Sequence, residues 1–108
     1  MKKLLIIAVL AIASSASATD WKNVVLIDQA CAAKAKANPD AHTRSCAIQC
    51  SKSGYGILTE KGEYLKFDQA GNEQAAKLLA GTDKKHHLRV NVQGQEKDGA
   101  ISVTSLSF

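Results

Sequence analysis

Cys31, His42, Cys46 and Cys50 carry most of the reactive chemistry in this chain. The spacing H-x-x-x-C-x-x-x-C sets His42, Cys46 and Cys50 at i, i+4 and i+8. On a helix they form one stripe, drifting by about 40° over two turns. Three chemistries use such a set. A disulfide from Cys31 to Cys46 or to Cys50 would staple a helical segment to the residues before it, contributing roughly 2–4 kcal/mol. Cys46–Cys50 is the poorest pairing, because i,i+4 Cβ atoms on a helix lie about 5–6 Å apart and a disulfide needs about 3.5–4.5 Å. Either remaining pairing leaves a thiol over. A metal site of Cys31, His42, Cys46 and Cys50 would suit Zn²⁺, or Cu⁺ with its preference for thiolates, and uses every cysteine. Its ligand spacing lacks the tight C-x-x-C knuckle of compact zinc modules. The third chemistry is a redox or nucleophilic thiol, with His42 one turn before Cys46 to activate it. No oxyanion donors or orienting third group accompany that pair, so no catalytic residue is assigned.

The remaining polar residues are less specific. Asp28, Glu60, Glu63 and Asp68 show no paired-carboxylate spacing. His86 and His87 are adjacent, so in a strand they would face opposite sides and not chelate together. Lys84, Lys85 and Arg89 read as a solvated edge that discourages strand pairing. Trp21, Tyr55 and Tyr64 could form a stacking platform of the kind barrels use for oligomers, but the few aromatics here are also needed for a core. Glycine-rich phosphate loops are absent.

These residues need elements to hold them. Trp21–Asp28 reads as a first strand, followed by a short helical stretch from Gln29 to Ala37 that Asn38-Pro39 breaks. Asp40 can cap a second helix from about Ala41 to Lys52, with Gly54 at its stop. From Tyr55 the period changes to two. Tyr55–Thr59 and Glu63–Asp68 flank a hairpin connection at Glu60-Lys61-Gly62, and Asn72 is placed to cap a short helix ending at Ala80 before Gly81. Leu88, Val90 and Val92 alternate with polar residues, as do Ile101 and Val103 across a turn within Gly94–Gly99. Leu106 falls out of phase with Ile101 and Val103, which predicts a bulge near Ser105 or a switch of face. The order predicts a small, mainly-β domain with some helix: a five-stranded OB-like barrel. A Cys-bearing helical insertion separates strands 1 and 2, and a short helix separates strands 3 and 4. An open α+β sheet with its helices on one face is the alternative.

The N-terminus sets the chemical environment. Met1-Lys2-Lys3, an apolar run from Leu4 to Ala13, and Ala16-Ser17-Ala18 make a cleavable secretory signal over residues 1–18, with a single domain over 19–108. The run is far short of the roughly 20 apolar residues a membrane span needs, so stable membrane insertion is not expected. Losing Lys2 and Lys3 lowers the net charge from +4 to +2, too little for a nucleic-acid footprint. Export to the periplasm or beyond would place all three cysteines in an oxidising compartment, which favours the disulfide over the open thiol sets.

The chain also resembles a group of small secreted bacterial proteins of uncharacterised function. The resemblance runs through W-x-x-x-V-x-x-D-x-x-C (Trp21 to Cys31), H-T-x-x-C-A-x-x-C (His42 to Cys50), S-G-Y-G-I-L-T (Ser53 to Thr59) and G-x-Y-x-K-F-D (Gly62 to Asp68) with Gly71-Asn72. The closing V-x-V-x-G…I-x-V pair, within Leu88 to Val103, is similar to exported bacterial OB-fold proteins. These resemblances imply export and a barrel, and no established activity. The expectation is therefore an exported binding or structural module of unassigned ligand or protein partner, stapled by a disulfide from Cys31. The alternative is a periplasmic Zn- or Cu-binding protein, and a thiol-redox role is the only enzymatic option.

Overall fold

A computed structural model describes residues 18–108. The signal segment expected over residues 1–18 lies, apart from Ala18, outside the described residues. Five strands, β1 (Thr19–Asp28), β2 (Tyr55–Leu58), β3 (Tyr64–Phe67), β4 (Arg89–Lys97) and β5 (Ala100–Ser107), close a barrel in the order β1-β2-β3-β5-β4. The pair β3–β5 is parallel and the other pairs are antiparallel. This is the OB-like topology expected from the element order, with α3 (Gln69–Ala80) between the third and fourth strands. Two short helices, α1 (Gln29–Ala35) and α2 (Arg44–Gln49), fill the connection from β1 to β2, with 3-10 turns at Pro39–Ala41 and Ser51–Ser53.

The period-two pattern of β1 explains where these layers go. Val24 and Leu26 point into the barrel, where they join Tyr55, Ile57, Leu65, Phe67, Val90, Val92, Ile101 and Val103. Val25 and Ile27 point outward, and with Leu58 they bury against Ala32 and Ala35 of α1, Cys31 and Tyr64. Strands covered on both faces read as continuous apolar runs, which is why Val24-Val25-Leu26-Ile27 shows no alternation. The insertion thus roofs the outer surface of β1–β3. On α3, Gly71, Ala75 and Leu79 make the buried stripe, and Ala75 and Leu79 add to the barrel core.

Local chemistry fixes the corners. Asp98 and Gly99, with φ of 55° and 79°, form the two-residue turn between β4 and β5, a geometry that asks for positive φ at both central positions. On β5, Ser105 pairs with Gln93 and Val103 with Gly94, so Thr104 is the extra residue of the bulge expected next to Ser105. A second irregularity in β1 sets Lys22 and Asn23 against Asn91, with Asn23 at φ 56°; β1 pairs with β4 from Thr19 through Val25 and with β2 from Val25 to Asp28.

Two caps differ from expectation. The helix α3 starts at Gln69 because Asp68 caps it through Gly71 N–H at 2.9 Å. Asn72 instead sits inside the helix and accepts from Tyr55 N–H at 2.8 Å, tying α3 to β2. The helix expected from Ala41 to Lys52 is shorter, spanning Arg44–Gln49, and its cap is Thr43, whose hydroxyl accepts from Cys46 N–H at 3.1 Å. Asp40 is drawn away by Arg89, which donates to both carboxylate oxygens at 2.9 and 3.0 Å.

Candidate functional site

The shortened α2 breaks the expected stripe. His42 precedes the helix in extended conformation, Cys46 lies within it, and Cys50 is its C-cap residue. The three therefore do not project from successive turns of one helix. Cys46 is exposed, whereas Cys31 and Cys50 are half-buried, and all three are free thiols. The residues that do converge are Asp28, Cys31 and Cys50, whose carboxylate oxygen and two sulfurs all lie within 4.8 Å of one another.

Asp28 organises this group. It ends β1 opposite Tyr55 of β2, fully buried, and caps α1 by accepting from Cys31 N–H at 3.0 Å through Oδ2. Its other oxygen, Oδ1, stands 2.8 Å from Nε2 of the buried His42, an ion-pair contact rather than an aligned hydrogen bond. One carboxylate thus holds the first turn of α1 and the segment leading into α2 against the end of a barrel strand. A buried carboxylate is tolerated only when its oxygens are engaged in this way.

The thiols feel the carboxylate. Burial first, and then hydrogen bonding and charge from Asp28, push Cys31 up to about 11, with Cys50 adding to the same trend. A thiol held protonated at neutral pH is a poor nucleophile, which removes the physical basis for Cys31 as a reactive thiolate. The two tyrosines flank the group. Tyr55 is buried and donates from its hydroxyl to Ala47 C=O at 2.9 Å, pinning α2; its pKa is raised by burial and then by the Asp28 charge. The Tyr64 hydroxyl is buried without a hydrogen-bond partner among the described residues. Burial and then Asp28 push it up to about 12.

The rest of the insertion is tied down by polar contacts. Gln29 N–H donates to Gly54 C=O at 2.9 Å, and Ala30 N–H to Ser53 Oγ at 3.1 Å. Arg44 N–H donates to Lys85 C=O at 2.9 Å, while Arg44 Nε donates to Leu79 C=O at 2.6 Å. A stacking platform is not assembled: Tyr55 is in the barrel core, Tyr64 packs beneath α1, and Trp21 packs against the core at the far half of β1.

Sequence reasoning passed over Asp28, which has no carboxylate partner at diagnostic spacing. The signal present was its cap position, one residue before a helical stretch and three before a cysteine. It also placed His86 and His87 on opposite faces of a strand. They precede β4 instead, and His87 has φ 54°, which turns both Nδ1 atoms toward each other. No family model matches the chain, and neither does any curated protein or solved structure.

Proposed function

We propose that this protein is an exported, non-catalytic binding module, an OB-like barrel whose helical insertion is stapled by a Cys31–Cys50 disulfide, with Cys46 left as a free surface thiol. The observation that carries this reading is the convergence of the Cys31 and Cys50 sulfurs beside the Asp28 carboxylate, with Cys46 exposed elsewhere. Ionising both thiols there would gather negative charge around a buried carboxylate. Oxidation to a disulfide avoids that charge: the two thiols lose two protons, and two electrons pass to an external disulfide oxidant of the exporting compartment. Export rests on the signal-type N-terminus and on the resemblance to small secreted bacterial proteins.

The same convergence favours one second reading, a Zn²⁺ or Cu⁺ ion held by Asp28, Cys31 and Cys50, which would compensate the charge instead. Against it, both Asp28 oxygens are already engaged, by His42 and by the Cys31 amide. Intact mass, thiol titration and metal analysis of protein purified from the export compartment decide between the two. The disulfide predicts a mass lower by two hydrogens, one titratable thiol that disappears in Cys46→Ser, and no bound metal that depends on Cys31 or Cys50. A full-mass protein with stoichiometric metal that is lost in Cys31→Ser and Cys50→Ser would replace it with the metal reading.

A further inference from the structure

We propose that His86 and His87 form a surface binding site for a divalent d-block cation that prefers imidazole, Cu²⁺ ahead of Ni²⁺ and Zn²⁺. Neighbouring side chains on an extended chain diverge, so two adjacent histidines converge only if the backbone between them is turned. Here His87 adopts φ 54°, a left-handed conformation that is uncommon for residues other than glycine. Several contacts hold it there. His87 N–H donates to Asp40 C=O at 3.1 Å, Arg89 N–H donates to His87 C=O at 2.8 Å, and the following Leu88 is fully buried, its carbonyl accepting from Leu26 N–H at 2.7 Å.

The result is an aligned donor pair. The two Nδ1 atoms face each other in direct contact, with ring centroids 4.6 Å apart and planes inclined by 58°. Two imidazole lone pairs aimed at one point repel unless something shares them, a proton on one ring or a cation between both. Neutral imidazole nitrogens are the commonest metal donors, and both rings are exposed, so an ion can reach them. Metal–nitrogen bonds to imidazole are about 2.0–2.1 Å long, so binding would require the two nitrogens to part to either side of the ion.

His86 and His87 line a cleft with Asn38, Thr43 and Asp40. The Asp40 carboxylate lies in that cleft and is paired with Arg89, which donates to both of its oxygens at 2.9 and 3.0 Å. Two protein nitrogens leave the remaining coordination positions to water, an open site rather than a closed structural one. Cu²⁺ leads because divalent affinity for nitrogen donors peaks there.

The test titrates the untagged exported chain with Cu²⁺ and separately with Zn²⁺ by calorimetry in a non-chelating buffer. The expected result is one equivalent of Cu²⁺ bound more tightly than Zn²⁺, weakened at least about tenfold in His86→Ala and in His87→Ala. Affinity stays unchanged in the triple variant Cys31→Ser/Cys46→Ser/Cys50→Ser. Paramagnetic broadening by Cu²⁺ should centre on the amides of residues 85–88 and Asp40, a readout that does not depend on folding of any variant. Absence of binding, binding that survives loss of both imidazoles, or loss confined to the cysteine variant would each overturn the proposal.

Discussion

Tyr64 lies across Gly56, close enough that a Cβ there would come within 2.8 Å of its ring, and its hydroxyl is buried without a partner among the described residues. An unsatisfied buried hydroxyl costs desolvation and returns no hydrogen bond. Tyr64→Phe should therefore raise stability by about 1 kcal/mol at pH 7, measured by urea unfolding; a loss of stability would mean that the hydroxyl is satisfied. The phenol also sets an alkaline limit. Its pKa is near 10 in the unfolded chain and about 12 in the fold, so the folded state holds its proton longer. That contribution is complete below pH 10 and is lost as pH rises toward 12. Tyr64→Phe should flatten the decline over that window in oxidised protein, where Cys31, raised to about 11 as a thiol, no longer titrates. At this scale the sequence was least legible. The cysteines and His42 stood out by type, yet Asp28, which touches His42 and caps the helix bearing Cys31, has a role that depends on burial and on partners far along the chain.

Elements were legible where local pattern and tertiary packing agree. The hairpins β2–β3 and β4–β5, the β5 bulge and the end of α3 at Gly81 follow from period-two alternation, phase and glycine placement. The second insertion helix was misjudged because Asp40 and Thr43 are both competent caps. The choice between them is made by Arg89, 49 residues beyond Asp40, which no local window contains. The seating of α3 was equally hidden. Gly71 lets the helix approach β3 and β5 so closely that a Cβ would stand 2.5 Å from Val103 Cγ2 and 2.7 Å from Phe67 Cβ. Alanine gains about 1 kcal/mol of helix propensity over glycine, while overpacking typically costs 1–3 kcal/mol; at these separations the clash wins. Gly71→Ala should lower the melting temperature, and Gly81→Ala, whose Cβ would meet only Lys77 C=O at 3.5 Å, should change it little. Equal effects at the two positions would contradict this seating.

For the whole molecule, the insertion decides what the barrel can offer. Five-stranded barrels of this topology commonly bind ligands on the outer surface of strands 2 and 3, and here that surface is roofed by α1 through Val25, Ile27, Leu58 and Tyr64. On the proposed binding role, a ligand would have to use the insertion's own outer surface and the loops beside it, or lift the roof. The proposed Cys31–Cys50 bridge opposes lifting, because it joins the start of α1 to the end of α2 and closes a loop of roughly 20 residues, worth about 3 kcal/mol on the chain-entropy account. Asp28, Arg89 and Tyr55 hold the same segment by polar contacts, so reduction should loosen the roof without unfolding the barrel. Oxidised protein should exceed the Cys31→Ser/Cys50→Ser variant by about 3 kcal/mol in urea unfolding, and Cys46→Ser should match the parent. Hydrogen exchange should separate the layers: on reduction, amides of α1 and α2 lose protection first, and those of β4 and β5 keep theirs under native conditions. Uniform loss across all five strands would mean that the insertion is part of the barrel's cooperative core rather than a stapled roof over it.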